Sequence, residues 1–149
     1  MMIRLVNARL RHRCLVFIFL HTDKGKQLKL PRGVLELAIS QATKSPMQHR
    51  HGAVIWKGKT IIGAGYNHHL SAPTPNNRKV SIHSEKDCLT GLRGDQVYGA
   101  NVLAVRVTKS GQLSSGGPCK GCQKLLGRKG VNKIYWFDDE GNLNFTRVS

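Results

Sequence analysis

The chain is 149 residues long, which suits one domain built on a single core rather than two. With 40% hydrophobic residues and 16 glycines it has the composition of an ordinary folded protein, which excludes disordered and collagen-like classes. Twenty-four Lys and Arg stand against eight Asp and Glu, a net +16, and such a charge attracts phosphate-rich partners through counterion release.

Residues 1–32 hold eight of the basic residues and one acid, Asp23, so the remainder of the chain still carries +9. The longest apolar run, Cys14 to Leu20, falls well short of the roughly 18 residues of a membrane-spanning helix. Four arginines precede it, as in an organellar presequence, but no small-x-small cleavage site follows Leu20, which argues against secretion. The expected compartment is therefore intracellular, cytoplasmic or nuclear, with organellar import compatible with the N-terminus. We prefer to read this region as a basic arm with a hairpin, because Leu15–Leu20 and Gln27–Leu30 flank the polar turn Thr22-Asp-Lys-Gly25. The domain proper is taken as residues 33–149.

From Gly33 to Ser45 the residues Val34, Leu35, Ala38, Ile39 and Ala42 recur at helical spacing, and Pro46 closes the segment. Residues 52–56 and 60–66 are β-rich runs joined by Lys57-Gly58-Lys59, the pattern of an antiparallel hairpin. His68 to Val80, rich in Pro and Asn, reads as a functional loop in which His68 and His69 are solvated. Ser81 is placed to cap a helix through Ile82, Cys88, Leu89 and Leu92, ended by Gly91 or Gly94. The near-continuous apolar run Asn101–Val107 predicts a strand buried on both faces. Pro118 suits the first position of a helix running to Gly127 or Gly130. Strands at Val131–Phe137 and Leu143–Val148 flank the turn Asp138–Asn142, too tight for a parallel return, so they should be antiparallel. Trp56 and Trp136 lie in strand patterns and are expected in the core.

The chemistry concentrates at two of these helix starts. His83 stands in His83-Ser84-Glu85, and Cys119 and Cys122 are three apart, so near a helix start they share a face and can grip one ion. The helix dipole and free N–H groups there favour thiolate, the metal-binding form. Cys14 and Cys88, in apolar surroundings, read instead as buried thiols. Three protein ligands, His83, Cys119 and Cys122, leave a fourth tetrahedral position open, as catalytic rather than structural Zn2+ sites do. Glu85, two residues beyond the histidine, is placed to move protons between a water and a leaving nitrogen.

His83-x-Glu85 followed by Pro118-Cys119-x-x-Cys122, with a buried strand between, resembles the zinc signature of the cytidine and deoxycytidylate deaminase superfamily. The helix, the hairpin and Gly65-Tyr66-Asn67 fit the same pattern, so the resemblance spans roughly residues 33–137. It implies a three-layer α/β/α fold around a mixed sheet, with zinc held by His83, Cys119 and Cys122 and protons shuttled by Glu85. Asn67 matches an asparagine that in many members contacts the sugar or base. Ser84 stands where many members carry alanine, so its hydroxyl is expected to crowd or hydrogen-bond the base. The family also implies a homo-oligomer.

The expected activity is hydrolytic conversion of cytosine to uracil, in a nucleoside, a nucleotide or a single-stranded nucleic acid. The charge favours nucleic acid or a phosphorylated substrate. Two other readings stay open: deamination of adenosine in tRNA, because the same chemistry serves either base, and a catalytically dead nucleic-acid-binding module with structural zinc.

Overall fold

Burial of one helical stripe fixes the first layer. In helix α1 (Val34–Lys44) the residues Val34, Leu35, Ala38 and Ala42 are buried, and Ser45 leaves the helix in extended backbone, the conformation that a following proline imposes. The computed structural model describes residues 20–21, 27–71, 74–76 and 78–148. Within it, strands β1 (Leu20–His21) and β2 (Gln27–Leu28) pair antiparallel, as the expected hairpin requires. Leu15 to Phe19, the turn from Thr22 to Gly25, Cys14 and the four arginines ahead of it lie outside the described residues.

The central sheet is built from β3 (Arg50–Lys57), β4 (Thr60–Tyr66), β7 (Asn101–Val107), β9 (Lys133–Phe137) and β10 (Leu143–Arg147), in the order β10-β9-β7-β3-β4. Between β4 and β7 lie β5 (His68–His69), β6 (Ser81–Ile82), α2 (Ser84–Asp87) and α3 (Gly94–Val97). The short β8 (Leu113–Ser114) pairs with the end of β7, and α4 (Lys120–Arg128) follows it. Among the described residues only β7 and β9 pair in parallel, and α4 lies in the crossover between them. The final β9–β10 hairpin is antiparallel, as its tight turn demands. The Asp138 carboxylate organises that turn by accepting from the N–H groups of Glu140 and Asn142 and from the Asn144 amide. Burial alone would raise the Asp138 pKa, but these bonds outweigh it and hold the carboxyl below its usual range.

Side-chain alternation divides the core in two. Val54, Trp56, Leu103, Val105 and Val107 face α1, whereas Ala53, Ile55, Val102 and Ile134 face Leu126 of α4, Cys88 and Val97. The result is a mixed sheet with helices on both faces, the three layers expected. Trp56 is buried as predicted, but Trp136 is only half-buried, on the face that carries α4.

Three local expectations need correction. Ser81 starts no helix, because it and Ile82 pair through their backbones with His69 and His68. Helix α2 is one turn long with His83 at its N-cap, and then tightens into i to i−3 turns before Gly91, whose positive φ ends it. Its end rests on the backbone of β4: a Cβ on Gly65 would sit 2.5 Å from the Cys88 nitrogen and one on Gly63 2.5 Å from the Cys88 oxygen. Pro118 precedes the helix rather than opening it, since Cys119 takes the N-cap.

Helix α1 approaches β3 just as closely. A Cβ on Gly52 would overlap the Ala38 carbonyl and sit 2.5 Å from the Ala42 nitrogen, both rigid backbone. Gly52→Ala should therefore lower stability by about 1–3 kcal/mol, the usual range for overpacking a core. Urea unfolding measures this, and an unchanged midpoint would contradict the close approach.

Candidate active site

Two helix N-termini converge over one end of the sheet. His83 and Cys119 occupy the N-caps of α2 and α4, both in extended backbone that turns their side chains toward each other across the gap. His83 Nδ1 lies 3.3 Å from Cys122 Sγ and 3.6 Å from Cys119 Sγ, and the three ligand atoms fall within 4.8 Å of one another. Zn–S and Zn–N bonds of ordinary length at a tetrahedral angle separate N from S by about 3.6 Å, so this donor set fits zinc. No fourth His, Cys, Asp or Glu ligand joins the three among the described residues.

The two thiols differ in environment. Cys119 is exposed, and its sulfur accepts the Cys122 N–H at 3.3 Å, capping the helix that presents both. Cys122 is 6% exposed, and burial, followed by the neighbouring Glu85 charge and Cys119, pushes its thiol well above the ordinary range. A divalent cation would reverse that tendency by stabilising thiolate.

Glu85 is the second residue of α2, 7% exposed, and its Oε2 accepts a hydrogen bond from Ser84 Oγ at 3.1 Å. Ser84 is fully buried, so its hydroxyl is aimed at that carboxylate. From below, the Cys88 thiol donates to the Glu85 carbonyl at 3.1 Å. Cys88 is buried, its thiol is raised by desolvation, and it takes no part in the metal-type group, in keeping with its reading as a buried thiol.

Asn67 is 9% exposed and largely committed to the fold. Its Oδ1 accepts from Ser45 Oγ at 2.6 Å and from the His51 N–H at 2.8 Å, and its Nδ2 donates to the His49 carbonyl at 2.7 Å. It thus ties the end of α1 to the start of β3, and one amide N–H remains for any ligand. His68 is bound by Asp87 at 2.9 Å, a contact that raises its pKa, and Asp87 also accepts the Tyr66 N–H. His68 and His69 join no metal-type group among the described residues.

A cavity of 220 Å³ opens over the site, lined by Ser81, His83, Lys86, Cys119, Gly121, Cys122 and Leu125. A larger hollow of 270 Å³, between Leu113–Ser115 and Phe137–Gly141, contains none of the expected residues.

No protein-family model and no curated protein matches the sequence. Among solved structures, the fold is similar to dCMP deaminase from the cyanophage S-TIM5 in complex with dCMP and dUMP. That similarity has a TM-score of 0.45 at 17% identity, over 70% of this chain and 81% of that one. The apo form of the same enzyme gives 0.48 at 18% identity, over 73% and 86%. RibD from Acinetobacter baumannii gives 0.40 at 22% identity, over 68% of this chain and 25% of its own. What the chain does rests on its own site.

Sequence patterning did not mark His49, His51 and Arg106 at the edge of that site. Burial lowers the His51 pKa; Glu85 opposes this, while Arg106, His49 and His83 add to it. The available signal was strand alternation: His51 falls two residues before Ala53, on the face that carries α2 and α4. Chemically, the site combines a soft trigonal donor set with a buried carboxylate and a cavity open to solvent. That combination suits hydrolysis more than electron transfer or structural cross-linking.

Proposed function

We propose that residues 33–149 form a zinc-dependent hydrolytic deaminase that converts a cytosine base to uracil, with residues 1–32 as a basic extension. The observation that carries the reading is the placement of Glu85: a buried carboxylate, oriented by Ser84, on the same one-turn helix that His83 caps. A purely structural cross-link has no use for that group.

His83, Cys119 and Cys122 would hold the metal. When bound, zinc supplies a Lewis acid that makes water nucleophilic near neutral pH. Glu85 would carry two protons in turn: the first from the attacking water to the ring nitrogen, and the second from the hydroxyl so formed on the ring carbon to the departing amine, leaving a carbonyl. The C–O bond forms, the C–N bond breaks, and ammonia leaves. Ser84 donates to Oε2 and so holds the carboxylate in one orientation. Asn67 offers its remaining amide proton to the sugar or base. No helix among the described residues is long and apolar enough to cross a membrane.

The test is ammonia release by zinc-loaded protein from cytidine, deoxycytidine, their monophosphates, single-stranded DNA, adenosine and tRNA. Turnover of a cytosine compound is expected. Turnover of adenosine alone would replace cytosine by adenine as the substrate base. Salt-sensitive nucleic-acid binding with no ammonia from any substrate would instead make the chain a binding module.

A further inference from the structure

We infer that Arg106, His49 and His51 form an anion subsite beside the site of His83, Glu85, Cys119 and Cys122 and that it receives a phosphate of the substrate, an assignment that rests on the deaminase reading of that site. In the β3–β7 ladder His51 stands directly opposite Arg106. Both positions fall on the face where Ala53, Ile55 and Val102 pack toward α2 and α4. A Cβ on Gly116 would meet Arg106 Cβ at 3.0 Å and His51 Cε1 at 3.8 Å, so the two side chains lie under the segment that leads into Pro118 and Cys119. The pair therefore borders the metal-type site rather than a remote surface.

Among the described residues no carboxylate pairs with Arg106. The described residues contain two ion pairs, His68 with Asp87 and Arg93 with Asp95, and Arg106 belongs to neither. Its Nη2 instead donates to His49 Nδ1 at 2.8 Å, a neutral acceptor on an exposed side chain. A guanidinium has five donors in a fixed fork, so most of its hydrogen-bonding capacity remains, beside two imidazoles that can also donate. Glu85 is the one acid acting on His51, and it is buried and already bonded to Ser84. Planar, bidentate donation to a doubly acceptor-rich anion is what arginine does better than lysine, and phosphate is the anion every nucleotide brings.

The experiment uses zinc-loaded full-length protein and non-reacting product ligands, uridine and UMP, with affinity read by titration calorimetry. A charge-assisted phosphate contact corresponds to roughly a 10- to 100-fold preference for UMP. Arg106→Gln, which keeps bulk and hydrogen bonding but removes the charge, should reduce that preference to within about threefold. Arg106→Lys should restore part of it, and Arg93→Ala, which removes an exposed arginine already paired with Asp95, should leave it intact. Equal affinity of the native protein for uridine and UMP, or an equal loss of both in Arg106→Gln, would overturn the subsite. A uracil-containing single strand, with a phosphodiester or a neutral methylphosphonate 5′ to the uracil, identifies the source. A larger Arg106-dependent penalty from the neutral linkage than from removing the UMP phosphate indicates a polynucleotide, and the reverse indicates a mononucleotide. Because binding is read without turnover, a protein that prefers UMP through Arg106 yet deaminates nothing would sink the reaction and leave the phosphate contact standing.

Discussion

Glu85→Gln is expected to keep zinc at full stoichiometry and to lower kcat by at least about 10²- to 10⁴-fold, the range attributed to a positioned general acid–base group. Glutamine matches glutamate in size and can still accept from Ser84, so the buried pocket keeps its packing. What it cannot do is accept and return a proton. The loss should therefore fall on kcat, with KM little changed, because the carboxylate acts on the reacting atoms more than on ground-state binding. Metal content by emission spectroscopy and initial rates of ammonia release check the two halves together. Near-normal turnover in a zinc-replete variant would refute the assignment of Glu85.

Cys119→Ala and Cys122→Ala are each expected to abolish stoichiometric zinc binding and, with it, activity. Because ligands must assemble from segments 36 residues apart in sequence, metal affinity is coupled to folding, and the variants should melt at lower temperature than the zinc-loaded protein. Cys119 carries a second role that can be separated from the first. Its sulfur caps α4 by accepting the Cys122 N–H, so Cys119→Ala also loses a cap, worth roughly 0.5–2 kcal/mol. Cys119→Ser keeps a capping oxygen without the soft donor. In the presence of a chelator, Cys119→Ser should unfold like the metal-free native protein, whereas Cys119→Ala should unfold earlier. Thermal melts with and without chelator measure the difference, and identical melts for the two variants would exclude the capping role.

Much of this site is legible in the chain because its parts are local. Cys119 and Cys122 share a helix face by spacing alone, and Glu85 follows His83 closely enough to share one short helix. Boundaries were less legible. Ser81 has the chemistry of an N-cap, yet a two-residue backbone pairing with His69 takes it out of the helix, and a contact made across more than ten residues leaves no trace in local propensity. Pro118 likewise fits a first helical turn, but the Cys119 sulfur supplies a better cap one residue later. Asn67 stands at the end of a strand pattern, and only the fold reveals that its amide is used to join α1 to β3.

Periodicity and turn chemistry therefore marked the main helices and the paired strands, and residue type and spacing marked Cys119 with Cys122 and His83 with Glu85, since each depends on neighbours within a few positions along the chain; the layered arrangement was expected only through the family resemblance those motifs carry. The tertiary structure decided which residues meet: the separation of His83 from the two sulfurs, the Ser84 bond to Glu85, and the Arg106, His51 and His49 cluster. Those arise where β3 and β7 pair across some fifty residues and two helix starts are set over the sheet, and packing across such distances follows from the whole core rather than from any local pattern.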